Sequence, residues 1–183
     1  MMIVDGVEMR GVAPDDAAAL AGAFARNRAN MAPTEPDRPD AFYTEQGQRE
    51  RIAQQLESRD AGRLLPFLFV DVASGTPLGT INLGNIQHGP LSSGGVGYWV
   101  DEACRGKGLA TAAVREVCRI ARDEVGLHRV EAGTLVDNLA SQRVLAKAGF
   151  EQYGLAPRYL HINGAWRDHR LFQRILHDHP PAP

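Results

Sequence analysis

Cysteine is scarce in this sequence, and neither sign of charge dominates it. The 183 residues include two cysteines, Cys104 and Cys118, too few for the disulfide framework of a small secreted domain. The formal net charge is -2, whereas a nucleic-acid-binding domain usually carries a strong basic excess. The composition therefore argues against nucleic acid as a partner, although a local basic patch stays open.

Long apolar runs are lacking as well. Residues 1–8 contain no basic segment followed by the apolar core of a secretory signal. No uninterrupted apolar run approaches the ~20 residues of a membrane span. With the scarcity of cysteine, these absences predict a cytoplasmic protein that has no membrane partner. A composition of 44% apolar and 23% charged residues is typical of a single globular domain.

The pattern of apolar residues predicts one α/β layered domain over residues 1–176. Strands are expected at about residues 7–12, 66–72, 78–86, 129–136, 150–162 and 166–176, and a loop over residues 87–93 leads to one more, in the apolar run that begins at Tyr98. Helices are expected from an N-cap at Asp15 to about residue 30, over 44–60, from Leu109 to beyond Ile120, and over 138–148. Residues 177–183 are expected to be a flexible tail. Its two histidines are more typical of a solvated tail than of a metal site, and no metal is predicted.

Two connections are candidates for shaping a binding site. Residues 31–40 contain three prolines, so regular structure is not expected there. A loop of this kind is either a spacer or one wall of a substrate groove, and both interpretations stay open. The last two strands are joined by Asn163 and Gly164, a pair typical of a two-residue β-hairpin turn.

The most informative segment is a basic turn at which a strand is followed by a helix, Arg105-Gly106-Lys107-Gly108. A helix N-terminus has unpaired N–H groups and a partial positive charge, and glycine lets a ligand approach the backbone closely. This arrangement favours a phosphate site, the alternative being a basic turn that holds no ligand. The G-x-x-x-x-G-K-[ST] motif is absent. Residues 94–99 have the wrong glycine spacing for G-x-G-x-x-G, and we expect them upstream of the strand core.

The turn also resembles a family signature. Arg105-x-x-Gly108-x-Ala110 is similar to the acetyl-CoA motif Q/R-x-x-G-x-G/A of the GNAT N-acetyltransferases. Residues 96–114 resemble the family's fourth strand and the helix after it, and residues 128–150 resemble its fifth strand, an Asn-x-x-Ser helix and a terminal Gly-Phe. Residues 158–176 resemble the closing hairpin of the RimJ/RimL branch, which acetylates N-termini of ribosomal proteins. The resemblance implies a mixed, mostly antiparallel twisted sheet, with helices on both faces and a fourth and fifth strand that splay apart.

The resemblance also assigns residues to acetyl-CoA as the co-substrate. The main chain of Trp99 and Val100 would line the thioester, with the Val100 amide polarising its carbonyl. Asn138 would hold the pantetheine arm, although Asn at a helix start is commonly an N-cap, and both roles are compatible. The pyrophosphate would bind to the turn formed by Arg105, Gly106, Lys107, Gly108, Leu109, Ala110 and Thr111.

Catalysis is less completely specified. The resemblance implies that Ser141 protonates the leaving CoA thiolate, and the alternative is a hydroxyl bonded to backbone at a helix start. Many members carry a tyrosine that acts as general acid at the position of Leu145. Some relatives carry a glutamate, a candidate general base, at the position of Leu160. Glu131, Glu102 and Asp168 are candidate bases, but each is equally typical of a structural carboxylate. No base is assigned, and water or main-chain carbonyls could remove the proton.

The missing base favours an acceptor that is partly neutral already. An α-amine has a pKa of about 7.7–8.0, against about 10.4 for lysine. We therefore expect a protein or peptide N-terminus that enters between residues 31–40 and the Asn163–Gly164 turn. A small-molecule amine is the alternative, because Glu35, Asp37 and Asp40 would also suit a polyamine. A CoA-binding sensor without catalysis stays open, as does a homodimer.

Overall fold

The computed structural model describes residues 1–180. Within them the strands are β1 (Met2–Val4), β2 (Val7–Gly11), β3 (Leu64–Asp71), β4 (Pro77–Gln87), β5 (Ser93–Val100), β6 (Arg129–Leu135), β7 (Glu151–Ile162) and β8 (Ala165–Ile175). The α-helices are α1 (Ala17–Met31), α2 (Glu45–Asp60), α3 (Leu109–Asp123) and α4 (Leu139–Lys147). The strands form one sheet in the order β1-β2-β3-β4-β5-β6-β8-β7. The pairings are antiparallel except between β5 and β6, which confirms the predicted mixed, mostly antiparallel sheet.

The N-terminal part differs from the prediction in two details. Strand β1 was not predicted, and it pairs antiparallel with β2. Helix α1 follows a 3-10 turn, and its N-cap residue is Asp16 instead of the predicted Asp15. The Asp16 carboxylate accepts the Ala13 N–H at 2.8 Å and pairs with Arg10 at 2.6 Å. These two partners fix Asp16 at the start of the helix, whereas the sequence offered two adjacent aspartates.

Helices cover both faces of the sheet, because successive strand side chains point to opposite sides. On one face, α1 and α2 pack Leu20, Phe24 and Ile52 against Leu68 and Val70 of β3. On the other face α3 and α4 pack against Phe69, Ile81 and Leu83, and the predicted stripe of α3 lies in this core. The members of that stripe are Leu109, Ala113, Val117 and Ile120, all of them buried.

The hairpins and the final strands follow the sequence closely. Strands β3 and β4 form the predicted antiparallel pair. Asn163 and Gly164 have φ of 49° and 75°, as a two-residue hairpin turn of the mirror-image type requires. Gly149, with φ of 84°, follows the last turn of α4 as predicted. Residues 94–99 lie inside β5, so placing them upstream of the strand core was wrong.

The predicted tail is only partly described. His177–Pro180 has no regular secondary structure, and the His177 carbonyl contacts the His128 ring nitrogen. The rest of the predicted tail, residues 181–183, lies outside the described residues. Within residues 1–180 no helix combines the length and the apolar character needed to cross a bilayer. In the same range no three His, Cys, Asp or Glu side chains cluster as metal ligands would.

Candidate active site

The basic turn leads into α3 without a capping side chain. Gly106 and Gly108 have φ of 75° and 81°, in the left-handed region that glycine adopts without strain. Gly108 is the N-cap residue, and its carbonyl accepts the first intrahelical hydrogen bond, from the Ala112 N–H at 3.0 Å. The N–H groups of residues 109–111 precede that bond, so they are available to an anion. A β-carbon at either glycine would meet no atom within 4 Å, so the turn is open to a ligand.

A buried carboxylate anchors this turn to α1. Asp101 directly follows β5, and its Oδ2 accepts the Asn27 Nδ2–H at 2.9 Å and lies 3.3 Å from Arg26 Nη2. Its Oδ1 accepts the Ala103 N–H at 3.0 Å, while Asn27 Oδ1 accepts the Glu102 N–H at 3.0 Å. Burial disfavours the charged form, but these hydrogen bonds outweigh it and lower the pKa of Asp101. The segment between strand and turn is therefore held in place.

A groove opens where β5 and β6 separate. The two strands pair only over residues 93–95 of β5 and 129–131 of β6. The Asp101 N–H donates to the Leu78 carbonyl of β4 at 2.8 Å. Because successive N–H groups of a strand point to opposite edges, the Val100 N–H points away from β4, into the gap. The resulting cavity of about 820 Å³ runs from the basic turn past residues 132–135 to α4. The predicted splay of the two strands is thus present.

At the inner end of this groove two hydroxyls meet. Asn138 is the N-cap of α4, and its Oδ1 accepts the Ser141 N–H at 3.1 Å, which leaves its amide N–H groups for a ligand. The Ser141 Oγ lies 2.9 Å from the hydroxyl oxygen of Tyr98 on β5. Both side chains line the groove. Burial raises the pKa of Tyr98 to about 12 even though the hydrogen bond with Ser141 lowers it.

A second cavity, of about 340 Å³, adjoins the groove on the side of α1 and α2. Glu35, Tyr98 and Trp99 line both cavities, so the two cavities share this wall. Burial raises the pKa of Glu35, although Arg38, 3.7 Å away, and Arg51 lower it. Burial and Arg38 lower the pKa of Arg51 to about 10. Of the described carboxylates, Glu35 alone lines both cavities.

The proline-rich loop and the terminal hairpin meet over these cavities. Asp37 Oδ2 accepts the Gly164 N–H at 3.5 Å and lies 3.7 Å from Nδ1 of His161. On the hairpin, Leu160, Ile162 and His169 line the groove below this contact. The loop is thus a wall of the site and not a mere spacer.

The structure places ten of the eleven predicted site residues on the wall of the groove. Lys107 is exposed on the turn and is not part of that wall. Leu145 is fully buried beside the groove, and Leu160 is 40% exposed at its edge. The residues on the wall are Trp99, Val100, Arg105, Gly106, Gly108, Leu109, Ala110, Thr111, Asn138 and Ser141.

The three candidate bases named from the sequence lie away from both cavities. Glu131 pairs with Arg129 and accepts the Tyr153 hydroxyl at 2.8 Å. Asp168 accepts the Arg158 N–H at 2.8 Å, and Glu102 is exposed beside the turn. Sequence reasoning missed Tyr98 and the position of Glu35. Glu35 carried a signal, because it lies in the proline-rich loop, whereas Tyr98 resembled any strand residue.

Comparison with known proteins agrees with this geometry. Residues 7–151 match the family model of the acetyltransferase (GNAT) domain. The chain is 31% identical to the ribosomal protein uS5-alanine N-acetyltransferase of Escherichia coli, over 99% of this chain and 93% of that protein. The ribosomal-protein-S5-alanine acetyltransferase of Vibrio fischeri superposes with a TM-score of 0.92 at 36% identity, with 96% of each chain covered.

A third relative bears on the co-substrate. Mycobacterium smegmatis RimJ, solved in complex with CoA-disulfide, superposes with a TM-score of 0.87 at 34% identity, over 92% of this chain and 81% of that one. The uncapped end of α3 and the gap between β5 and β6 fit such a ligand. The predicted fold, family and co-substrate are therefore confirmed. The chain belongs to the GNAT family of acetyltransferases, where it resembles the RimJ/RimL ribosomal-protein branch, and it is an acetyl-CoA-dependent transferase.

Proposed function

We propose that this enzyme acetylates the N-terminal α-amine of a ribosomal protein. The observation that carries the proposal is that two cavities lie side by side and share the wall formed by Glu35, Tyr98 and Trp99. One cavity has the helix end that suits a pyrophosphate, and the other offers a separate entrance for an acceptor. The relatives from E. coli and V. fischeri, named for alanine of S5, support N-terminal alanine as the acceptor residue.

Acetyl-CoA supplies the acetyl group as a thioester. The N–H groups at the start of α3 and the Arg105 side chain would bind its pyrophosphate, each charge-assisted hydrogen bond contributing roughly 1.5–3 kcal/mol. Asn138 would donate to the pantetheine arm, and the Val100 N–H would polarise the thioester carbonyl. Ser141, on the groove wall one turn beyond Asn138, would protonate the departing sulfur.

Glu35 is the proposed contact for the α-amine. Its carboxylate lies in the shared wall, where an ammonium entering from the second cavity would meet it. Because burial raises its pKa, the carboxylate forms at higher pH than an exposed glutamate would. A carboxylate at this point would attract and orient the incoming ammonium. Because the pKa of an α-amine is about 2.5 below that of lysine, an α-ammonium gives up its proton more easily than a lysine side chain at the same site. Asp37, at the contact between loop and hairpin, would attract a basic N-terminal segment.

The test compares acceptors under one set of conditions. A basic peptide with N-terminal alanine, the same peptide with a blocked α-amine, spermidine and free alanine are each supplied with acetyl-CoA. We expect kcat/KM for the free peptide to exceed the other three by tenfold or more. If spermidine or free alanine is favoured tenfold, about 1.4 kcal/mol in transition-state binding, a small-molecule acceptor replaces the protein one. Turnover of none of these amines, with CoA still bound, would support the sensor alternative.

A variant of the shared wall sharpens this test. Glu35→Gln should raise KM for the peptide at least tenfold while the Kd for CoA changes less than threefold. Asp40→Asn is the matched control, because Asp40 is an exposed carboxylate nearby that pairs with Arg28 and lines neither cavity. Equal effects of the two variants would show that Glu35 contributes only general negative charge.

A ribosomal acceptor would place the reaction in the cytoplasm. A homodimer also stays a proposal, and sedimentation of the purified chain tests it.

A further inference from the structure

The hydroxyl of Tyr98 is the nearest side-chain partner of the Ser141 hydroxyl. The two oxygens are 2.9 Å apart, and the Tyr98 oxygen is 3.4 Å from the Ser141 carbonyl. Tyr98 lies on β5 and Ser141 on α4, so the contact crosses the groove where the strands separate. Both residues are half-buried and line the cavity. A hydrogen bond of this length, across a ligand groove, couples the two hydroxyls directly.

The relative acidity of the two hydroxyls favours Tyr98 as the donor and Ser141 as the acceptor of this hydrogen bond during the reaction. A phenol has a pKa of about 10, whereas an aliphatic hydroxyl is closer to water, at about 15.7. If Ser141 gave its proton away unaided, an alkoxide would remain in a half-buried site. With the Tyr98 O–H directed at Ser141 Oγ, the Ser141 proton is free to point into the groove. The proton that Ser141 loses can then be replaced in the same step.

We infer that Tyr98 is a positioning residue that orients Ser141 and supplies the proton which Ser141 passes to the CoA sulfur. This rests on the proposed role of Ser141 in the transfer reaction. As the carbon–sulfur bond breaks, its electron pair stays on sulfur, which takes the Ser141 proton. Ser141 Oγ takes the Tyr98 proton, so a thiol and an intact serine result, with a phenolate at Tyr98. The acceptor nitrogen releases one proton as the amide forms, and that proton restores the phenol through water.

Two further observations bear on this. The raised pKa of Tyr98, about 12, keeps its hydroxyl protonated through the neutral range but also makes it a weaker acid, so its proton can move only together with the transfer from Ser141 to sulfur. Leu145 lies on α4 at the position where many family members carry a tyrosine that acts as general acid. Its side chain is fully buried and has no hydroxyl. The phenol next to Ser141 in this chain therefore comes from a strand, β5, and not from α4.

The first experiment measures kcat and the Kd for CoA in Tyr98→Phe, Ser141→Ala and the double variant. An acid–base group typically contributes ~10²–10⁴-fold. We expect kcat to fall ~100-fold in Tyr98→Phe and further in Ser141→Ala, with the Kd for CoA changed less than threefold. The double variant should equal Ser141→Ala, because Tyr98 acts through that serine. Tyr153→Phe is the matched control, since its phenol bonds to Glu131 outside the groove.

The second experiment keeps the fold intact. In the unaltered enzyme the alkaline limb of kcat that Tyr98 produces should lie near pH 12. Replacing tyrosine by a fluorotyrosine whose phenol pKa is several units lower should move that limb into the neutral or mildly alkaline range, an effect that a structural hydroxyl would not produce. Other charged or titratable side chains also line these cavities, among them Glu35, Arg38, Arg51 and His169. They are the same in the fluorotyrosine protein and the unaltered one, so they do not account for a difference between the two. Fluorotyrosine in Tyr98→Phe controls for the remaining tyrosines.

The outcomes separate the two proposals. An unaltered kcat in Tyr98→Phe, multiplicative effects in the double variant, or an unmoved alkaline limb would each overturn the relay. If at the same time Ser141→Ala loses kcat, the proposed acid role of Ser141 still stands. If Ser141→Ala is fully active, the relay falls together with that role. If no amine is acetylated by the unaltered enzyme, the proposed function itself is wrong.

Discussion

Replacing Gly108 by glutamate tests the proposed pyrophosphate site at the start of α3. The residue is the N-cap of α3, with φ of 81° and open space where a β-carbon would stand. A glutamate there would put a carboxylate next to the free N–H groups of residues 109–111. It would cap the helix itself, as acidic side chains do, and would repel a pyrophosphate.

The expected size follows from the bonds displaced. If the carboxylate removes two charge-assisted hydrogen bonds of ~1.5–3 kcal/mol each, the loss is about 3–6 kcal/mol. At 1.4 kcal/mol per decade, the Kd for CoA should rise at least ~100-fold. The left-handed backbone costs an L side chain roughly 1–2 kcal/mol of folding free energy, which a stable domain tolerates.

Calorimetric titration with CoA is the assay, and two variants control it. Gly75→Glu places the same side chain at φ of 70°, also in open space, on the β3–β4 turn that lines neither cavity. Gly108→Asn adds bulk without charge, in a conformation that asparagine adopts more readily than most residues. We expect CoA binding to be normal in the first and weakened only partly in the second. A folded Gly108→Glu protein that binds CoA within threefold of the unaltered chain would refute the location of the pyrophosphate site.

Three further outcomes are expected from the scaffold around the groove. Gly79→Ala should lower the free energy of unfolding by about 2–3 kcal/mol in urea, because a β-carbon there would lie 2.3 Å from the Trp99 carbonyl oxygen. Gly11→Ala is the control, since a β-carbon there has open space, and it should change that free energy by less than about 0.5 kcal/mol. Asp101→Asn should cost about 1.5–3 kcal/mol by the same measurement, through weakened bonds to Asn27 and Arg26, and a smaller loss would mean that this network does not hold the turn. Asp16 and Asp101 have lowered pKa values in the folded state, so the stability they contribute is complete above the unfolded pKa of about 3.9 and is lost as the pH falls through the folded values. The free energy of unfolding of Asp101→Asn should therefore fall less steeply with acid than that of the unaltered protein. An unchanged slope would contradict the assignment.

Much of this fold could be predicted because its signals are local. The hairpin turn at Asn163–Gly164, the C-terminal glycine of α4 and the apolar stripe of α3 each depend on residues within one or two turns of chain. The basic turn is equally local, since its glycines, its cations and the helix start are adjacent. Strand β1 was missed because three residues carry too little periodicity to distinguish a strand from an irregular N-terminus.

The parts of the site that could not be predicted depend on contacts between distant segments. Asn27 meets Asp101, and Asp37 meets the Asn163–Gly164 hairpin, across more than seventy residues in each case. Glu35 is an ordinary loop carboxylate in the sequence, and only the folded chain puts it in the wall shared by both cavities. The carboxylates that the sequence offered as possible bases depend on distant contacts too: Glu131 accepts the Tyr153 hydroxyl of β7, and Asp168 accepts the Arg158 N–H across the terminal hairpin.

The contact between Tyr98 and Ser141 suggests how the proposed acid chemistry could be retained although Leu145 occupies the motif position of the tyrosine. A hydroxyl needed at one point of a groove can come from any element that borders the groove, and the border here consists of a strand and a helix. At Leu145 the helix contributes a fully buried apolar side chain to the core, while the strand contributes the phenol 2.9 Å from Ser141. A search of α4 alone finds one hydroxyl and suggests a weakened site. The folded chain has two, because the gap between β5 and β6, where the coenzyme is proposed to bind, also exposes the strand residue Tyr98 that faces Ser141.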